Sequence, residues 1–115
     1  MNMKSRFKHK ESYKHKMAKT VLAEWTDGIM EEPFCVDGQY LFVPDVMVRE
    51  NGVIKTIYEV VNTHSFTGKK LGIIQEWCYR NATELSVFEI SADYILTQTE
   101  KPDQIRCMEY YNVEF

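Results

Sequence analysis

The sequence predicts an α/β protein with its elements in the order α-β-β-β-α-β and a sheet covered on both faces. Apolar residues recur at helical spacing in two segments, one on each side of a β-rich region. Within that region, three apolar stretches are separated by the turn dipeptides Asp37-Gly38 and Asn51-Gly52. In the second and third stretches both alternating sets of residues are apolar, which is typical of a sheet with a layer on each side.

The two helices are predicted from their apolar stripes and from the residues at their ends. The first helix runs from Glu11 to Trp25, and Asp27-Gly28 ends it. Thr67 is the candidate N-cap of the second helix, which runs to about Arg80. The stripe residues are Met17, Ala18, Val21, Leu22 and Trp25 in the first helix and Leu71, Ile74 and Cys78 in the second.

The strands are predicted from apolar runs bounded by turn residues. Three strands, at about 29–36, 40–48 and 53–62, should form a meander between the helices. The run ELSVFEIS, from Glu84, predicts a fourth strand after the second helix, and the tail after Pro102 holds one further candidate. No linker or repeat divides the chain, so we expect one domain over residues 11–115, preceded by a basic flexible arm over residues 1–10.

The composition is that of an ordinary soluble globular protein, with 44% hydrophobic and 27% charged residues. No apolar run is long enough to span a membrane, and no apolar segment of a secretory signal follows the basic N-terminus. Cys35, Cys78 and Cys107 are odd in number and far apart, which argues against a disulfide framework and a zinc ribbon. We therefore expect a cytoplasmic protein with reduced thiols and no membrane partner.

Charge is distributed unevenly along the chain. Residues 1–20 contain seven Lys or Arg residues and one acid, whereas the remainder contains 7 basic and 16 acidic residues. A basic arm on an acidic body is typical of a tail that binds phosphate groups. The same charges are equally typical of the solvated start of a helix, so charge alone does not separate the two interpretations.

Two carboxylates, Asp45 and Glu59, lie within the otherwise apolar second and third strands. They share a face only if the hairpin between them pairs odd residues with odd residues. A two-residue turn at Asn51-Gly52 would place them on opposite faces, whereas a three-residue loop over 50–52 pairs residue 49 with residue 53. We predict the three-residue loop, which places the two Cβ atoms roughly 5–8 Å apart.

Two carboxylates on one covered face repel each other and are costly to desolvate, so they need a cation or raised pKa values. A divalent metal ion meets this need, and oxygen-rich ligands favour Mg²⁺ or Mn²⁺. Glu11, His15 and Lys19 follow one another at four-residue spacing along the edge of the first helix. His15 is therefore a candidate ligand, and an imidazole would shift the preference toward Mn²⁺.

Together these features resemble the PD-(D/E)XK nuclease superfamily. VPDVMV, followed 14 residues after Asp45 by YEVV at Glu59, is similar to its Pro-Asp and Glu-x-Lys elements. The segment ESYKHKMAKTVLAEW resembles the helix before the core in competence protein CoiA-like nucleases. The segment YEVVNTHSFTGKK, followed by SVFEIS, resembles a branch in which the Glu strand runs into Thr-His and a nearby Lys, and a later strand ends in Glu-Ile. Gln75 and Tyr79 match the QxxxY motif of RecB-type nucleases. The resemblance implies a restriction-endonuclease-like core, a mixed sheet flanked by helices.

The resemblance also implies roles for the acids. Asp45 and Glu59 would ligate the metal together with the backbone carbonyl of Val60, and His15 would complete the set of ligands. The metal would activate a water and offset charge on the phosphoryl oxygens. The cofactor implied is thus Mg²⁺ or Mn²⁺.

One position departs from the family pattern. The Lys of Glu-x-Lys is replaced by Val61. Lys69 or Lys70, after the Thr-His pair, or Lys19 on the first helix could supply the missing amine. That amine would orient the water or stabilise the transition state.

Five further residues are candidates for contact with substrate. Gln75 and Tyr79 lie one helical turn apart and would contact substrate or brace the site. His64 would contact a phosphate, hold a ligand in place or simply end its strand. Lys8 and Lys10 belong to the basic arm, which would help to hold the nucleic-acid backbone.

The leading functional interpretation is a metal-dependent nuclease, a phosphodiester hydrolase acting on DNA or RNA. The alternative is a catalytically weak or inactive subunit of the same fold that binds nucleic acid or assembles with a larger complex, which Val61 favours. A protein-interaction module unrelated to nucleic acid fits the acidic body but leaves the embedded acids unexplained. A homodimer that makes paired cuts is compatible with the small size of the chain.

Overall fold

A five-stranded mixed sheet with helices on both faces is the framework of the protein. The computed structural model describes residues 11–36, 38–62 and 68–114. Within these ranges the helices are α1 (Tyr13–Thr26), α2 (Gly68–Asn81) and α3 (Ala92–Thr97). The strands are β1 (Ile29–Met30), β2 (Phe34–Val36), β3 (Gln39–Phe42), β4 (Val46–Glu50), β5 (Val53–Val61), β6 (Leu85–Ser91) and β7 (Glu109–Val113).

The main sheet has the strand order β1-β4-β5-β6-β7, and β2 pairs only with β3 in a separate two-stranded sheet. Strands β5 and β6 are parallel, and α2 lies in the connection between them, as a parallel pair requires. The other neighbours in the main sheet are antiparallel. The predicted α/β class, the mixed sheet and its flanking helices are confirmed, and the tail forms the edge strand β7.

The predicted three-strand meander is wrong in its first two strands. The segment predicted as one strand over 29–36 is divided into β1 and β2, and the segment over 40–48 is divided into β3 and β4. Both divisions coincide with a proline, Pro33 and Pro44, which has no N–H to donate to a ladder. Glu31 also has a positive φ of 63°, which turns the chain away from the sheet after β1.

The predicted three-residue loop between β4 and β5 is also wrong. Asn51 and Gly52, with φ of 53° and 80°, form a two-residue turn, and Glu50 pairs with Val53. The register then shifts, because Arg49 pairs with Ile54 but Val48 pairs with Thr56. Lys55 is the extra residue of a β-bulge. From the bulge onward, odd residues of β4 again lie opposite odd residues of β5.

Two apolar clusters cover the two faces of the sheet. One joins α2 and the β2–β3 hairpin to the sheet, and the other joins α1 and α3 to the opposite face. The bulge at Lys55 places Ile54 in the same cluster as Ile57, although residues three apart on a regular strand point to opposite faces. Within the described ranges, none of the helices combines the length and apolar character needed to cross a bilayer.

The three cysteines should differ sharply in reactivity. Cys78 on α2 is fully buried, and burial, with the nearby charge of Glu84, raises the pKa of its thiol to about 11 from 9.0. Cys35 and Cys107 are exposed. At pH 8 the thiolate fraction of Cys78 is therefore about 100-fold below that of an unperturbed thiol. We expect iodoacetamide to label Cys35 and Cys107 and to spare Cys78.

Mass spectrometry of the labelled native protein measures this difference. Protein unfolded in guanidinium is the control, in which all three thiols should react. Labelling of Cys78 at the rate of the other two in native protein would contradict the packing of α2 on the sheet.

Candidate functional site

Asp45 and Glu59 are cross-strand neighbours at one end of the sheet. Asp45 immediately precedes β4, and Glu59 lies near the end of β5. The Asp45 backbone N–H donates to Glu59 Oε2 at 2.8 Å, and the Val60 N–H donates to Asp45 Oδ2 at 2.8 Å. Each carboxylate is thus fixed by the backbone of the opposite strand. The acids lie on the same face, although the bulge rather than the loop produces this register.

Glu59 is the more buried acid, with only 7% of the residue exposed. Burial raises the pKa of its carboxyl to about 7, and the charge of Asp45 acts in the same direction. The hydrogen bond from the Asp45 N–H and the Lys70 ammonium group oppose this effect without cancelling it. The protein therefore maintains a carboxylate where ionisation is unfavourable.

The first turns of α1 bring a second group of charges to these acids. Ser12 caps the helix by accepting a hydrogen bond from the His15 backbone N–H at 3.1 Å, which places His15 on the side facing Asp45. His15 Nε2 lies 3.3 Å from Asp45 Oδ2, and His15 Nδ1 lies 2.6 Å from Glu11 Oε2. Lys19 Nζ lies 2.6 Å from the same oxygen of Glu11. We call Glu11, His15, Asp45 and Glu59 the acid cluster.

The imidazole of His15 lies between two carboxylates, Asp45 and Glu11. Its hydrogen bond with Asp45 is the main cause that raises its pKa to about 9, and it outweighs the opposing effect of burial. Burial alone would raise the pKa of Glu11, but hydrogen bonds from Lys19 and His15 and their charges lower it overall. The charge of Glu11 is thus matched by Lys19 and His15, whereas the charge of Glu59 is not fully compensated.

Three members of the cluster have the geometry of a metal site. One ligand atom from each of Glu11, His15 and Asp45 lies within 4.8 Å of the other two. Two carboxylates and an imidazole suit Mn²⁺ and, less selectively, Mg²⁺. Glu11 is not among the predicted ligands, although its spacing of four residues from His15 could have indicated it. The ligand role of the Val60 carbonyl stays a prediction.

The three lysines that could replace the amine missing at Val61 differ in their contacts and burial. Val61 itself is buried. Lys70, in the first turn of α2, lies 3.4 Å from Glu59 Oε1 and 5.3 Å from the centre of the Phe42 ring. Lys19 is buried against Glu11, whereas Lys69 is exposed and forms no ion pair with a described residue. Lys70 is therefore the amine that contacts an acid of the sheet.

The predicted substrate contacts lie farther out or outside the described ranges. Gln75 and Tyr79 are exposed on α2, and neither side chain forms a hydrogen bond with a described residue. Their roles stay predictions. Lys8, Lys10 and His64 lie outside the described residues, as do the arm over 1–10 and the candidate cap Thr67.

A second buried acid, Glu89, lies beside Glu59 on the neighbouring strand. The two residues pair in the parallel register of β5 and β6, so their side chains are on the same face of the sheet. Glu89 is 1% exposed, and the Tyr111 hydroxyl donates to its Oε2 at 3.0 Å. This hydrogen bond, followed by burial, raises the pKa of Tyr111. Glu89 is thus held by an edge-strand tyrosine rather than by the lysines.

No protein-family model matches the chain, and no curated protein or solved structure is significantly similar to it. Functional inference therefore depends on the geometry and chemistry of the acid cluster.

Proposed function

We propose that the protein is a metal-dependent nuclease that hydrolyses phosphodiester bonds in DNA or RNA. The observation that carries this proposal is the pair of carboxylates, Asp45 and Glu59, fixed side by side by backbone hydrogen bonds on adjacent strands. Burial raises the pKa of Glu59, and strongly perturbed carboxyl pKa values cluster at functional sites.

The order of the elements supports a restriction-endonuclease-like core. If the β2–β3 hairpin is taken as an insertion, the elements around it follow the order α-β-β-β-α-β. These elements are α1, β1, β4, β5, α2 and β6. This order, with the VPDVMV and YEVV motifs, supports the proposal of a PD-(D/E)XK nuclease, similar to the CoiA-like or RecB-like branch. The acids lie where β4 begins and β5 ends, in line with the motif positions.

The donor groups of the cluster fit a divalent cation. Glu11, His15 and Asp45 would hold it, with Glu59 and the Val60 carbonyl as the ligands implied by the family pattern. When bound, Mg²⁺ or Mn²⁺ would supply an activated water and charge stabilisation on the phosphoryl oxygens. Glu11 also contacts the second nitrogen of His15, which fixes the orientation of the ring.

The remaining groups act on charge and position. Lys70 Nζ, held near Glu59 Oε1, is placed to stabilise negative charge that develops on the phosphoryl group or to orient the attacking water. The ammonium group of Lys19, 2.6 Å from Glu11 Oε2, compensates the negative charge of Glu11. The backbone hydrogen bonds to Asp45 and Glu59 hold both carboxylates in place before substrate binds.

Lys70 should be required for efficient cleavage, whereas its neighbour Lys69 should not. Lys70→Gln removes the amine beside Glu59, and we expect the rate of the chemical step to fall about 10²- to 10³-fold, as for loss of one charge-stabilising donor. Lys69→Gln makes the same chemical change on an exposed side chain and is the matched control. Single-turnover cleavage with saturating Mn²⁺ measures both.

Equal rates for the two variants would exclude Lys70 as the replacement for the missing amine. If Lys19→Met then lowers the rate while its melting temperature stays unchanged, the amine is supplied by α1.

A non-catalytic nucleic-acid-binding or assembly subunit is the second candidate function. The buried Val61, where the family pattern has a Lys, favours it. Saturable Mn²⁺ binding without turnover on any DNA or RNA would support this alternative over the nuclease. Turnover that depends on Asp45 would exclude it.

A further inference from the structure

A cavity of about 590 Å³ lies on the face of the sheet that α1 covers, beyond the C-terminal end of that helix. Strands β4, β5 and β6 contribute its floor, and the segment over 101–105 forms part of its wall. Its volume is within the range of small-molecule sites, which enclose roughly 300–1,000 Å³. We call it the aromatic pocket, after the rings of Tyr58 and Phe88.

These rings form a row across the sheet. Tyr58 and Phe88 pair in register on β5 and β6, and their ring centroids lie 5.3 Å apart with 20° between the planes. The row continues to Tyr110 on β7, whose ring centroid lies 4.8 Å from that of Phe88. Tyr58 and Phe88 are half-buried at the edge of the apolar cluster under α1, and Tyr110 is exposed. The solvent-accessible parts of such rings favour planar ligands, because aromatic rings attract one another in stacked and edge-to-face arrangements.

The polar residues of the aromatic pocket restrict which part of a ligand can enter. Glu50 and Asp103 carry negative charge, Lys101 carries positive charge, and Gln104 is neutral. A phosphate group is therefore disfavoured inside the pocket. Carboxylates accept hydrogen bonds from exocyclic amino groups of bases, as in their contacts with cytosine N4. The lining thus suits a neutral, planar ring that carries an amino group.

The aromatic pocket is separate from the acid cluster but close to it. About 15 Å of helix lies between His15 and the C-terminal end of α1 at the pocket, since ten residues rise about 1.5 Å each. Tyr58 directly precedes Glu59 on β5, but the two side chains point to opposite faces. The short path between the two places therefore runs along α1, and an extended strand that follows the helix from His15 would cover it with a few nucleotides.

We propose that the aromatic pocket binds an unpaired, amino-bearing base of a single-stranded nucleic acid, a few nucleotides from the phosphodiester at the acid cluster. The inference rests on the proposed nuclease function for the identity of that strand. A paired base is stacked in its duplex with its Watson–Crick edge occupied, so it cannot present that edge to Asp103. The preferred substrate is therefore single-stranded or has an unpaired end.

Binding of labelled oligo(dC) and oligo(dU) in EDTA, measured by fluorescence anisotropy, tests the proposal without cleavage. The two oligomers differ at ring position 4, where cytosine has an amino group and uracil an oxygen. We expect oligo(dC) to bind at least about 5-fold more tightly, which corresponds to about 1 kcal/mol. Asp103→Asn and Gln104→Ala, both surface changes, should reduce this preference. Glu84→Gln, at an exposed acid outside the pocket, is the matched control and should not.

The outcomes separate this inference from the proposed function. Preferential oligo(dC) binding that Asp103→Asn weakens, without cleavage in Mn²⁺, would support the aromatic pocket and argue against the nuclease. If the protein cleaves but binds both oligomers equally, and Asp103→Asn and Gln104→Ala do not change this binding, the pocket inference is overturned and the nuclease proposal stands. Displacement of the oligomer by tetramethylammonium but not by deoxycytidine would also overturn it, because the aromatic and acidic lining would then be a cation site.

Discussion

Replacing Asp45 by asparagine is expected to abolish metal-dependent cleavage. Loss of groups that merely support a metal ligand costs about 10- to 100-fold, so loss of a direct carboxylate ligand should cost more than about 100-fold. The fold should persist, because the amide oxygen can still accept the hydrogen bond from the Val60 N–H. Single-turnover rates at saturating Mn²⁺, with melting temperatures measured in parallel, give the result.

Asp93→Asn is the matched control for this substitution. Asp93 lies on α3 with 76% of its side chain exposed, and its ion pair is with Lys14 rather than with the acid cluster. The same chemical change should leave cleavage within about twofold of the original rate, as expected for an exposed ion pair. Activity that survives Asp45→Asn would remove the acid cluster from the mechanism.

Replacing Glu59 by glutamine should stabilise the metal-free protein at pH 8 while it removes activity. The pKa of Glu59 is raised to about 7 in the folded state from 4.5, so folded protein binds a proton that unfolded protein releases between these values. Stability contributed by the neutral carboxyl is therefore lost as pH rises from about 4.5 to 7. Above pH 7 the ionised form costs on the order of 1–3 kcal/mol, which glutamine avoids.

Thermal unfolding in EDTA over pH 4 to 8 measures this effect. Glu59→Gln should melt at least about 4 °C higher at pH 8, and its advantage should vanish below about pH 4.5. Glu84→Gln, at an exposed acid, should show neither change. Saturating Mn²⁺ should stabilise the original protein more than Glu59→Gln, since ligands stabilise the state that binds them. A lower melting temperature for Glu59→Gln at pH 8 would mean that Glu59 is a structural acid.

The helices could be predicted because they depend on local patterns. Ala18, Leu22 and Trp25 of the predicted α1 stripe are buried, whereas Met17, predicted in the same stripe, is exposed. The bulge at Lys55 could not be predicted, because it depends on packing: Ile54 and Ile57 both enter the cluster under α2. The register prediction thus gave the correct face for Asp45 and Glu59 through an incorrect loop.

Two other features depend on contacts that local sequence does not encode. Helix α3 is only six residues long and follows β6 directly, so its apolar positions are too few to reveal a helical period. Two local signals of this helix, the Ser91 cap and the acidic Asp93 in its first turn, are not used in the prediction. The choice of Lys70 over Lys69 or Lys19 required the position of α2 relative to β5.

A cleavage assay in Mn²⁺, Mg²⁺ or EDTA tests most directly the central claim that the protein is a metal-dependent nuclease. The labelled substrates are single-stranded DNA, double-stranded DNA and single-stranded RNA. We expect cleavage of at least one substrate with Mn²⁺ or Mg²⁺ and none in EDTA. Folded protein that binds Mn²⁺ but cleaves none of the three would contradict the nuclease proposal and favour the non-catalytic subunit.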